Sequence, residues 1–157
     1  MQRLAILTAL LVSISANAQL RVSVGGHEAT LSAADISSLP KCAVDVRDPH
    51  SGEQQHYEGA RMSDILEKAG VALGEKMRGA AFATYVLATA SDGYKVVFSL
   101  AELDPEMNGN NTIIAQSMNG KALDEKSGPL KIVVPNEKRP ARWVRMLTRL
   151  DIVKLAP

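Results

Sequence analysis

The sequence predicts an α+β fold, with mixed or antiparallel sheets and a few short helices. Three observations carry this reading. Apolar and polar residues alternate over short runs such as "LRVSV" and "TYVLATA", the period of half-buried strands. Tight turn pairs, Gly25-Gly26 and Asn119-Gly120, join several of these runs as hairpins. Segments of helical period are brief, too short for the crossover helices of a doubly wound parallel sheet.

Taken in order, Gly25-Gly26 separates "LRVSV" from "HEATLS" as an opening hairpin. Ser32 to Asp35 has capping-box spacing and starts a short helix that must stop before Pro40. "AVDVRD" and "EQQHYEG" are two strands around the turn Pro49-His50-Ser51-Gly52. Met62, Ile65, Leu66 and Ala69 then share one helical face, with Ser63 as its cap and Gly70 as its stop. "FATYVLATASDGYKVVFSL" is a second hairpin turning at Ser91-Asp92-Gly93, and Ser99 with Glu102 caps another short helix before Pro105. "TIIAQSMNGKAL" is a third hairpin, its Asn-Gly pair suiting a type I′ turn. "GPLKIVVP" is a buried strand, "ARWVRML" one or two helical turns, and "LDIVKL" a last strand.

The first eighteen of the 157 residues stand apart. Arg3, an apolar run from Leu4 to Ile14 and the small-residue end Ala16-Asn17-Ala18 form a secretory signal peptide pattern, cut after Ala18. The apolar run falls short of the roughly 20 residues needed to cross a bilayer. The expectation is an exported, periplasmic protein that is not embedded in a membrane, with residues 19–157 forming one domain. Those 139 residues are neutral overall, but residues 131–157 carry seven basic and two acidic side chains. A basic end of this kind points to an anion or a protein partner. It lacks the aromatic interleaving of a nucleic-acid surface, and no nucleic acid is expected.

Cys42 is the only cysteine, so no internal disulfide can form; it is free, joined to another chain or bound to a ligand. His27, His50 and His56 stand at no metal-binding spacing to it or to each other. A semi-buried residue at the start of a strand is the favoured reading of Cys42. Asp45, Asp48, Glu53 and Glu58 could pair for acid–base work, but their alternation fits a solvated strand face better. Lys138, Arg139, Arg142 and Arg145 cluster within eight residues. In a helix, Arg142 and Arg145 would share a face and fork onto a phosphate or carboxylate, while Trp143 and Leu147 turned to the core. An ordinary basic face weighs equally. Asp92 suits the turn alone, and Tyr94 either lines a pocket mouth or packs across the hairpin.

The ordered series "HYEGARMSDILEKAGV", "ASDGYKVVFSLAEL", "IIAQSMNGKAL", "SGPLKIVVP" and "RWVRMLTRLDIV" resembles the oxidoreductase molybdopterin-binding domain, the sulfite-oxidase-type fold. The resemblance spans roughly residues 22 to 155 and implies an α+β fold with mixed sheets. In catalytic members of that family a cysteine thiolate near the far end of a strand ligates molybdenum. Along "LPKCAVDVRDPH" that place falls near Pro49 or His50, so Cys42 is displaced by about eight positions, over 20 Å at roughly 3.3 Å per strand residue. The family's arginine-rich stretch after the ligand is missing here, and Ser127 stands where a histidine precedes Gly-x-Pro. Arg142-Trp143-Val144-Arg145 matches a basic segment that in the family lies on the cofactor's phosphate side.

The resemblance therefore implies a non-catalytic module, with no metal ligands and no bound cofactor. It would bind a small anion or present a surface to a periplasmic or membrane protein. Arg139, Arg142 and Arg145 would supply charge, and Asp92, Tyr94 and His50 would form the pocket rim. The alternative is a molybdopterin-dependent oxidoreductase using Cys42 or another ligand on the metal. A third reading gives Cys42 an intermolecular disulfide.

Overall fold

The computed structural model describes residues 18–48, 51–109 and 111–155. Residues 1–17 of the leader pattern, together with Pro49 and His50, lie outside that range. Among the described residues, ten strands form two five-stranded sheets, and three short α-helices lie between strands in the chain. The first sheet contains β1 (Gln19–Val24), β2 (His27–Ser32), β5 (Thr84–Ala90), β6 (Lys95–Ser99) and β10 (Leu147–Lys154). Their order is β2-β1-β10-β5-β6. Within this sheet β1 and β10 run parallel, with Val22 opposite Leu150, and the other pairings among the described residues are antiparallel. The second sheet has the order β3-β4-β7-β8, built from β3 (Lys41–Arg47), β4 (Gln54–Arg61), β7 (Ile113–Met118) and β8 (Lys121–Ala122). β9 (Lys131–Val133) also pairs with β7.

The alternation that predicted strands is the alternation of burial. Val86, Ala88 and Ala90 of β5 are buried, while Tyr85, Leu87 and Thr89 between them are partly exposed. Leu20 and Val22 of β1 and Val44 and Val46 of β3 also turn inward, and one contiguous core joins both sheets. β9 is buried at all three positions, as expected of a strand covered on both faces.

Local signals placed most elements. α1 (Ala33–Ser37) and α3 (Leu100–Leu103) each begin with a complete capping box, Ser32 with Asp35 and Ser99 with Glu102. Asn119 and Gly120 both take positive φ (51° and 75°), the requirement of a type I′ turn.

Two expectations are corrected. Ser63 does not cap α2 (Met62–Lys68); it lies inside the helix and is buried. The cap position is Arg61, and the first helical N–H, that of Met62, donates instead to Thr112 O at 2.9 Å. A tertiary partner replaces the side-chain cap. The segment "ARWVRML" is not an α-helix, and only its first two residues belong to a helical turn. Pro140–Arg142 form a single 3₁₀ turn, after which Trp143 is extended and the chain bends at Met146, where φ is 49°. Ile132 N donates to Val144 O and Leu147 N to Leu130 O, so backbone groups a helix would use are committed to β9 and the residue before it. Among the described residues no helix is long and apolar enough to cross a membrane.

Candidate functional site

A cleft of about 500 Å³ opens where four distant parts of the chain meet. Asp48 comes from the residue just after β3, and Asp92 and Tyr94 from the β5–β6 turn. Lys131 comes from β9, and Trp143 and Arg145 from the segment between the 3₁₀ turn and β10, with Pro140 and Ala141. The turn is fixed locally: Asp92 Oδ1 accepts from Tyr94 N at 3.0 Å, and Tyr94 Oη donates to Ala141 O at 2.5 Å. That second bond ties the hairpin to the opposite wall.

Lys131 is the most unusual group in the cleft, because a lysine only 9 % exposed is rare without a carboxylate partner. Its Nζ donates to Tyr57 Oη at 2.8 Å. Tyr57 Oη donates to Gln55 Oε1 at 2.8 Å, and Gln55 Nε2 donates to Asp48 Oδ2 at 3.2 Å. Among the described residues no carboxylate forms an ion pair with Lys131. The Trp143 ring stands 5.4 Å from Nζ, within cation–π range, and meets Tyr57 edge-on at 6.1 Å. The 4.7 Å from Nζ to the Tyr57 centroid follows from the hydroxyl bond itself. Burial, and then the charge of Arg145, pull the Lys131 ammonium below the ordinary lysine range, against the attraction of Asp48 and Asp124. Burial first, and then the negative charges of Asp48 and Asp124, raise the Tyr57 phenol, which stays protonated.

The structure sorts the predicted residues. Asp92, Tyr94 and Arg145 line one cleft, as a shared pocket requires. Arg142 turns away from it: Nε donates to Glu137 Oε1 at 2.6 Å, Nη1 to Glu102 Oε2 at 3.1 Å, and the guanidinium lies 4.9 Å from the Phe98 ring. Arg142 and Arg145 do not share a helical face, because the helix is absent. Arg139 is exposed and outside the cleft lining, and His50 lies outside the described residues. Asp45 is exposed and pairs with His56 at 2.8 Å, the solvated face expected of it. Lys131 and Tyr57 were missed. The available signal was a lone lysine inside the apolar run "PLKIVV".

Cys42 is a partly buried free thiol on β3, opposite Gly59. It precedes Asp48 by six residues of extended chain, about 20 Å at strand rise, and does not line the cleft. The cleft therefore offers carboxylates, an amine, a guanidinium, a phenol and an indole, and no sulfur. Among the described residues of the lining there is thus no thiolate to serve as a soft metal ligand. Among the described residues no three His, Cys, Asp or Glu side chains converge as a metal set. A second cleft, about 620 Å³, lies beside the β1–β2 turn and β10; small and apolar residues such as Gly25, Val71 and Ala81 make up most of its lining.

The model of the oxidoreductase molybdopterin binding domain matches residues 11–156. No curated protein matches the chain. Among solved structures, the sulfane dehydrogenase SoxCD from Paracoccus pantotrophus superposes with a TM-score of 0.67 at 18 % identity. The match covers 88 % of this chain and 38 % of that one, so the chain spans well under half the length of its structural relative. At that identity the likeness is one of fold.

Proposed function

The chain belongs to the oxidoreductase molybdopterin-binding domain family, and from that premise we propose that it is an exported binding module for a small anion rather than a molybdenum catalyst. The observation that carries this reading is Lys131. A buried ammonium with one hydrogen bond and no ion-paired carboxylate among the described residues has two donors left for a ligand in the cleft. Arg145 lines the same cleft and adds a fork suited to a carboxylate or phosphate oxygen pair. The placement of Cys42 on β3, far from these groups, supports loss of the metal ligand. Export rests on the leader pattern in residues 1–18, and occupancy of the cleft would be reported to a periplasmic or membrane protein.

Thermal unfolding with and without inorganic phosphate, sulfate or acetate tests the reading. A ligand at 100 times its Kd stabilises by about 2.7 kcal/mol, enough to move the transition by several degrees. The wild type should show that shift. Lys131→Met and Arg145→Gln should abolish it, while Arg142→Ala should keep it. Lys131→Met should stay folded, since replacing a buried charge by an apolar side chain is commonly neutral or stabilising. A wild type insensitive to every anion, or stoichiometric molybdenum that disappears in Cys42→Ala, would overturn the proposal.

A further inference from the structure

Lys131 stands in a setting that suits amine chemistry as well as charge pairing. Its Nζ is withdrawn from bulk water on a strand buried on both faces, yet it lines an open cleft. Trp143 walls one side and Arg145 brings a second positive charge. Desolvation and a neighbouring cation are the two means by which lysine amines are activated as nucleophiles. The hydrogen-bond directions matter as well. Tyr57 Oη donates to Gln55 and accepts from Lys131, so the phenol does not occupy the nitrogen lone pair. An amine that donates to Tyr57 keeps that pair for the cleft.

We propose that Lys131 captures a small carbonyl-bearing anion, of the 2-oxo acid class, as an imine beside Arg145; the proposal rests on the anion-binding reading above. In a 2-oxo acid the carboxylate is one bond from the carbonyl carbon, so Arg145 and Lys131 can engage both groups of one ligand. The Nζ lone pair forms a C–N bond to the carbonyl carbon, and the C=O π pair moves to oxygen, which takes up a proton. Nitrogen then releases a proton and the hydroxyl leaves as water, giving C=N. One amine and one carbonyl become one imine and one water, with no change of oxidation state, so the capture is reversible. Depression of the ammonium by burial and by Arg145 enlarges the neutral fraction that starts the reaction.

The test is reductive trapping on the wild-type protein. Glyoxylate and sodium cyanoborohydride convert any imine to a stable N-carboxymethyl amine, located by mass mapping of peptides. Lys131 should be modified several-fold more than the exposed Lys95, Lys121 and Lys126, and inorganic phosphate should suppress the difference. Lys131→Arg should remove that adduct with unfolding unchanged. Arg145→Gln should slow capture of glyoxylate but not of the uncharged acetaldehyde. Labelling of Lys131 no greater than that of Lys121, with phosphate still stabilising the fold, would sink the imine and leave the binding reading standing. Failure of phosphate stabilisation as well would remove both.

Discussion

At the scale of single residues, the cleft depends on a chain of hydrogen bonds whose middle member is one phenol oxygen. Tyr57→Phe keeps the ring among its core neighbours but takes away the acceptor of Lys131 and the donor to Gln55. Leaving a buried donor unsatisfied costs about 1–3 kcal/mol, so the variant should unfold at correspondingly lower urea. Adding Lys131→Met to it should recover part of the loss, because the orphaned ammonium goes too. Sequence reasoning did not reach this chain for a physical reason. Gln55 and Tyr57 sit on β4 and Lys131 on β9, with β7 paired between those strands, and no local pattern connects them. Arg145, Asp92 and Tyr94 were legible because charge clustering and turn chemistry act over a few residues. Arg142 had the same signal, but its guanidinium is committed to Glu102 and Glu137.

Elements tell a similar story of local rules with distant exceptions. The capping boxes and turn dipeptides acted as written, because their partners lie three or fewer residues away. The "ARWVRML" helix failed because β9 competed for the same backbone groups, and a sheet partner is invisible in a window of seven residues. A further distant constraint acts at Gly59, where the pairing of β4 with β7 slips by one residue. A Cβ there would stand 2.0 Å from Ile114 O and 2.8 Å from Ala115 Cα. Both are backbone atoms in the middle of a sheet and cannot step aside alone. Gly59→Ala should cost about 3 kcal/mol, toward the upper end for overpacking, and chemical denaturation would measure it. A loss under about 0.5 kcal/mol, within the range of ordinary surface changes, would show that the strands can part there.

The whole molecule is organised around β10, the third strand of five in the first sheet, flanked by β1 and β5. Deleting residues 147–157 would leave two separate hairpins, β1–β2 and β5–β6, where a five-stranded sheet stood. Isolated hairpins are marginal in water, so the shortened chain should lose its cooperative thermal transition by circular dichroism. A sharp transition near that of the full chain would mean that the second sheet folds on its own. The α+β class was legible because composition and period determine it. The central place of β10 was not, since a parallel pairing between strands more than a hundred residues apart leaves no mark on either one.

That parallel pairing also sets a clock. β1 is made more than a hundred residues before β10, yet its inner neighbour is only completed at Lys154. Every partial chain holds a gap in the middle of the first sheet, with the edges of β1 and β5 both open to strangers. The order in which residues are made is therefore no guide to the order in which they assemble. The first sheet of such a chain stays incomplete until its last strand is released, a trait that would suit the export proposed above.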